Sequence, residues 1–133
     1  MYKRQPLYRL PLGGIQITDL KGHRRTYVGS MPGKFIQALQ TSKCMDPVIL
    51  LDEMDKVGDA SSVLLEALDS EQHHAFMDHY IDAPIDLSNC LFIATSNQLS
   101  MSRPLLDRCT VIDIDGYTIQ DSISNNINHR TAI

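Results

Sequence analysis

Apolar positions along the chain fall into short extended runs separated by stretches with helical spacing. Leu7–Leu12, Val48–Leu51, Leu91–Ala94 and Val111–Ile114 read as strands. The second and third lack polar alternation, so they are expected at the centre of a sheet, buried on both faces. A helix is predicted to open near Pro32-Gly33-Lys34, with Phe35, Ile36 and Leu39 on one side. Another covers Ser62–Leu68, where Val63, Leu64, Ala67 and Leu68 share a face. Strands alternating with helices specify the α/β class, a mostly parallel sheet flanked by helices. Gly13-Gly14 and Gly58-Asp59 mark turns, and Gly116 before Tyr117-Thr118 marks the start of a last helix. The Ser- and Asn-rich stretch Ser122–Ile133 is expected to fray.

Composition and charge narrow the class. The 133 residues are 43% hydrophobic and 21% charged, which fits a single globular unit. With 12 Lys and Arg against 16 Asp and Glu the net charge is −4, so a bulk basic surface for nucleic acid is excluded. His23-Arg24-Arg25 is a thin basic patch, read as a solvated or inter-subunit face. Cys44, Cys90 and Cys109 are odd in number and form no CxxC pair, so they read as reduced intracellular thiols filling the core or its margin. The longest apolar runs are far too short for a bilayer, and no apolar segment follows the N-terminus as in a signal peptide. A soluble intracellular protein without a membrane partner is expected. His73, His74 and His79 with Asp78 lack the i, i+4 pairing that sets two imidazoles on one helical face, so no histidine metal site is expected.

The segment richest in chemistry is Val48-Ile49-Leu50-Leu51-Asp52-Glu53, an apolar strand ending in two carboxylates. It looks like a Walker B motif. A parallel strand delivers its C-terminal residues to a ligand crevice, where Asp52 can hold the magnesium of a nucleotide. Side chains alternate along a strand, so Glu53 points another way and is available to polarise an attacking water. The plainer alternative is a strand end capped by solvated acids. Leu91-Phe92-Ile93-Ala94-Thr95-Ser96-Asn97 is a second such strand, and its Asn97 fits a sensor-1 amide contacting the γ-phosphate or the water. A turn asparagine is the alternative. Arg108, in Arg103-Pro104-Leu105-Leu106-Asp107-Arg108, fits an arginine finger reaching a neighbouring subunit's nucleotide, or else a surface pair with Asp107.

Taken together these features resemble the AAA+ ATPases and, more narrowly, the ATPase module of Lon proteases. The narrower resemblance is carried in order by Leu12-Gly13-Gly14, by Gly22-His23-Arg24-Arg25-Thr26-Tyr27-Val28-Gly29-Ser30-Met31-Pro32-Gly33, and by Leu50–Lys56. It continues through Leu64–Gln72, Asp78-His79-Tyr80, Asp86–Asn89 and Pro104–Arg108, and covers roughly Leu7 to Thr118. The resemblance implies ATP and Mg2+ as cofactors, with Asp52 at the metal and Glu53, Asn97 and Arg108 as catalytic residues. Tyr27 and Val28 would be the pore-loop pair that grips an unfolded protein substrate inside a homo-oligomeric, hexameric ring, in bacterial cytoplasm or an organelle matrix. An aromatic and a β-branched residue on a mobile loop are apolar enough to grasp any sequence. The alternative for Tyr27 is a core aromatic at the start of a helix.

The sequence also departs from that pattern. It has no GxxxxGKS/T, so no Walker A phosphate cradle is assigned. Gly29-Ser30-Met31-Pro32-Gly33-Lys34 echoes one, but its glycine spacing is a residue short, Phe35 replaces the hydroxyl residue and no buried strand precedes it. In the family the strand feeding that cradle lies between those here ending at Ala94 and starting near Val111. Its absence implies a partial AAA+ large subdomain with an internal gap, prone to aggregation. The expected organisation is an unmatched start over residues 1–6, a partial ATPase core over 7–115 and the beginning of a truncated helical lid over 116–133. No sensor-2 arginine and no Ser–Lys protease dyad are assigned, and because the Gly58–Ser62 loop is shorter than the family's segment there, no second pore loop is assigned either. Two rival readings remain. One is a noncatalytic AAA+ interaction module contributing only Arg108 or the pore loop. The other is a nucleic-acid motor, which requires a basic DNA-facing surface.

Overall fold

Three of the four apolar runs become strands of one sheet in the computed structural model, which describes residues 5–98 and 100–114 and the backbone of residues 131–132. The chain runs through β1 (Leu7–Pro11), α1 (Ile17–Lys21), α2 (Lys34–Ser42), β2 (Val48–Asp52), α3 (Ser61–Leu68), β3 (Phe76–Asp78), β4 (Ala83–Ile85), β5 (Leu91–Ser96), α4 (Arg103–Leu106) and β6 (Thr131–Ala132). β1, β2 and β5 are parallel and in the order β1-β2-β5, with β2 central; Leu10 faces Leu51, which faces Ala94. β6 adds to the end of β5 in the antiparallel sense, pairing Thr95 with Ala132 and Ser96 with Thr131. β3 and β4 form a separate antiparallel hairpin.

Strand alternation sorts the side chains onto two very different faces. On one face Leu10, Ile49, Leu51 and Ala94 are buried with Leu12, Leu20, Phe35, Ala38, Val63 and Leu64 in a single core. Phe35 of α2 meets the edges of Phe76 on β3 and Phe92 on β5, with centroids 5.3 and 6.0 Å away, and so joins a helix, the hairpin and the sheet. On the other face Leu7, Leu91 and Ile93 are 64%, 51% and 37% exposed. β5 is therefore covered on one face, not on the two that its unbroken apolar run predicts, while Val48 and Leu50 of central β2 are half-buried on the open side. The β5 run is composed for a cover that none of the described residues supplies.

The open face ends in a polar cross-tie. Asp52, the last residue of β2, is 2% exposed. Its carboxylate accepts a 2.7 Å bond from Thr95 Oγ1 on β5 and a 2.9 Å bond from Arg9 Nε on β1, and it pairs with Arg9 Nη2 as well. Thr95 Oγ1 also accepts the backbone N–H of Glu53 at 3.2 Å. One carboxylate thus fastens the C-terminal ends of all three parallel strands.

The sheet is the partial parallel sheet expected from the missing cradle strand. Val111–Ile114, expected as a strand, forms no ladder, because no strand lies beside it among the described residues. Between this segment and β5 is a cleft of about 410 Å³, lined by Leu68, Phe92, Ala94, Cys109 and Ile112 among others. The helix expected at Gly116-Tyr117-Thr118 lies outside the described residues, as does the Ser122–Ile133 stretch apart from the short β6.

Two substitutions test this packing. Phe35→Ala should lower the unfolding free energy by about 3–5 kcal/mol in a urea titration, because it empties the junction of three elements; a loss under about 1 kcal/mol would contradict the assignment. Thr95→Val keeps the side-chain shape but removes one donor to a buried carboxylate, and should cost about 1–3 kcal/mol in the same assay; a neutral result would show that the cross-tie does not hold the strand ends.

Candidate active site

The three parallel strands release Asp52-Glu53 and Asn97 at the same end of the sheet. Asp52 closes β2 and Asn97 follows directly on β5, so the register that pairs Leu51 with Ala94 brings the two strand ends side by side. Asp52 is buried in its cross-tie, whereas Asn97 is exposed. Simple strand alternation was expected to turn Glu53 away from Asp52. Instead Glu53 leaves the strand in the left-handed region, at φ 60° and ψ 51°, and opens the 3-10 turn Met54–Lys56. A non-glycine residue there stores on the order of 1 kcal/mol of strain, held by the Thr95 contact to its N–H.

Glu53 is half-buried, with Oε1 3.1 Å from Lys56 Nζ. Its other oxygen lies against Gly13, where an added Cβ would come within 3.2 Å of it. Gly13 thus leaves room for that carboxylate, a role that the sequence marks only as a turn. Arg9 and Thr95 were likewise not singled out. Their signal is positional: a cation interrupting an apolar strand and a hydroxyl at the penultimate residue of another, both on the face that carries Asp52.

Arg108 stands apart from these groups. It follows α4 and pairs with Asp69 at the end of α3, Nη2 to Oδ2 at 2.8 Å, while Nη1 donates to the Pro104 carbonyl at 3.0 Å. The partner is therefore Asp69 and not Asp107. The Arg108 guanidinium first, and the Glu71 backbone N–H second, hold the Asp69 carboxyl below its usual value.

A second feature is the loop that leads into α2. Residues 22–33 form a loop of successive turns, with Tyr27 N–H donating to the Arg24 carbonyl and Ser30 N–H to that of Tyr27. At its tip Tyr27 is 66% exposed and Val28 fully exposed. Tyr27 is therefore no core aromatic.

The three thiols are free and partly buried. Burial, followed by the charges of Cys44, Asp86 and Asp46, pushes the Cys90 thiol up to about 11, and burial raises Cys109. A neutral thiol is a poor nucleophile, which matches packing rather than chemistry at these two positions. Among the described residues no group of three or more His, Cys, Asp or Glu side chains gathers as for a metal, and no helix is long and apolar enough to cross a membrane.

Two carboxylates and an amide are gathered at one end of the sheet. A buried carboxylate at the end of a parallel strand, next to a second carboxylate and an amide, has the oxygen donors that a hard divalent cation prefers. The amides and lysine of a GxxxxGKS/T cradle are not in the sequence.

Comparison with known proteins assigns the family. The family described as "ATPase family associated with various cellular activities (AAA)" matches residues 9–115. The chain is 51% identical over 123 residues to Lon protease 1 of Syntrophotalea carbinolica, an alignment covering 87% of this chain and 15% of that protein. It is 47% identical over 124 residues to the mitochondrial Lon protease homologue of Saccharomyces cerevisiae, covering 87% and 11%. The chain therefore spans 11% to 15% of the length of these two relatives. Among solved structures, a closed-state reconstruction of Hsp104 with ATPγS and FITC casein is similar at a TM-score of 0.57 and 30% identity, covering 68% of this chain and 16% of that one. The match over residues 9–115, on a parallel sheet whose strand ends gather Asp52, Glu53 and Asn97, means that the chain belongs to the AAA family of ATPases and, within it, matches Lon proteases.

Proposed function

We propose that this chain is the ATPase and unfoldase segment of a Lon-like protease, whose parent couples ATP hydrolysis to the unfolding and threading of protein substrates for proteolysis. The observation that carries the reading is the delivery of Asp52-Glu53 and Asn97 to one end of adjacent parallel strands. Asp52 would hold Mg2+, which when bound supplies charge neutralisation at the phosphate oxygens. Arg9 and Thr95 keep the Asp52 carboxylate aimed along the strand end. Glu53 takes the proton of the attacking water, for which the Lys56 pair must open, and Asn97 orients that water. Arg108 serves the nucleotide of the neighbouring subunit in a homo-oligomeric, hexameric ring, leaving Asp69 to do so. Tyr27 and Val28 push an unfolded polypeptide, a role supported by their exposure at a loop tip.

The alternative is a noncatalytic AAA+ module within a ring of complete subunits, contributing only Arg108 or the pore loop. A net charge of −4 disfavours the nucleic-acid motor.

One exchange experiment separates the readings. Residues 9–115 should replace the matching segment of a bacterial Lon protease, whose own sequence then supplies the phosphate cradle. The chimera is expected to turn over ATP and degrade casein. Glu53→Gln in it should cut ATP turnover about 10²–10⁴-fold with ATP still bound. Tyr27→Ala should spare ATP turnover and reduce proteolysis several-fold. A folded chimera without ATP turnover would favour the noncatalytic module, and full turnover with Glu53→Gln would remove Glu53 from the catalytic role.

A further inference from the structure

The fully buried Asp78, which the proposed catalytic cycle does not use, joins both ends of the exposed loop. At the far end of the loop, Oδ2 accepts the backbone N–H of Gly33 at 2.7 Å, and Gly33 is the N-cap of α2. That glycine has no side chain with which to cap its own helix, so the carboxylate of a hairpin residue 45 positions away faces the helix start instead. Oδ1 accepts the N–H groups of Tyr80 and Ile81, both at 2.9 Å, and so shapes the turn between β3 and β4. At the near end of the loop, Gly22 has φ +79°, and a Cβ there would stand 3.0 Å from both Asp78 oxygens and 2.8 Å from Gly33 N. A Cβ on Gly33 would come within 2.0 Å of the Leu20 carbonyl oxygen. The two ends of the loop are thus in backbone contact around one carboxylate, and only glycine fits at either end.

Further contacts continue the clamp. His79 N–H donates to the Lys21 carbonyl at 2.7 Å, and Lys21 pairs with Glu66 of α3 at 2.6 Å. Inside the loop, Arg25 Nε donates to the Tyr80 carbonyl at 2.6 Å and its guanidinium lies 5.2 Å from the Tyr80 ring centroid.

We infer that Asp78 is a positioning residue that locks loop 22–33 onto the β3–β4 hairpin, so that Tyr27 and Val28 are presented on a rigid arm rather than a free tether. Its use in gripping substrate rests on the pore-loop reading above; the clamp itself does not. A locked arm transmits displacement from the body of the domain to the tip. A tethered one dissipates it, because each contact with the polypeptide must first order the loop.

The test uses the full chain, which has no tryptophan, with Tyr27→Trp as a single reporter at the tip. In this background Asp78→Asn retains one acceptor oxygen and cannot serve Gly33 and the Tyr80–Ile81 turn together. Amide exchange across residues 23–33 should rise at least tenfold and the reporter's anisotropy should fall, while exchange in β2 and β5 is unchanged. Arg25→Gln, at an exposed position, should loosen the same segment by a smaller factor, and it decides the matter if Asp78→Asn fails to fold. Loop exchange and anisotropy equal to the parent in the folded variants would overturn the inference. Binding of fluorescein-labelled, reduced casein is measured alongside, and Tyr27→Ala and Asp78→Asn should both weaken it. Faster loop exchange in Asp78→Asn together with undiminished casein binding by Tyr27→Ala would uphold the clamp and refute the pore-loop reading.

Discussion

A single buried carboxylate, Asp52, sets the geometry on which the rest of the functional face depends. A charge held at 2% exposure survives only with partners, and each flanking strand contributes one: Arg9 from β1 and Thr95 from β5. Thr95 then reaches on to the N–H of Glu53, so the tie that fixes the strand ends also steadies the left-handed residue following them. Asn97 inherits its place from the same register. The chemistry proposed for Asp52, Glu53 and Asn97 is in this sense a consequence of how three parallel strands are fastened at one end.

Apolar side chains are exposed in two places, for different physical reasons. Tyr27 and Val28 crown a loop whose base is polar and closely bonded to the Asp78 turn, so their exposure is imposed by a well-ordered frame. Leu7, Leu91 and Ile93 lie exposed on a sheet face, and Val111, Ile112 and Ile114 are exposed in the segment after α4, with Ile112 lining the cleft beside β5. The first fits the pore-loop role proposed for these two residues. The second is the pattern of a core with one layer absent, and apolar surface of that kind favours association over solubility.

Much of this was legible in the sequence because long apolar runs have a period. Val48–Leu51 and Leu91–Ala94 were found as strands, and the helices near Lys34 and Ser62 by their shared faces. The Asp52-Glu53 terminus and the family resemblance followed from the same segments. What escaped notice was short or non-local. Three-residue strands such as Phe76–Asp78 and Ala83–Ile85 carry too few positions for a period, and Asp78 reads as one acid among histidines until the fold brings Gly22 and Gly33 to it. The pairings of Arg9 with Asp52 and of Arg108 with Asp69 span 43 and 39 residues, beyond any local pattern. Val111–Ile114 failed as a strand for the opposite reason: its local pattern is adequate, but a strand exists only beside a partner.

We propose that Asp52, Glu53 and Asn97 are the acidic half of an AAA nucleotide site, whose phosphate-cradling GxxxxGKS/T is not among these 133 residues. Isothermal titration of the folded chain with Mg–ATP addresses it directly. Backbone amides and a lysine supply most of the hold on nucleotide phosphates, so binding should be no tighter than on the order of a millimolar. Saturable binding in the micromolar range would contradict the account and require a phosphate cradle formed by other residues of this chain.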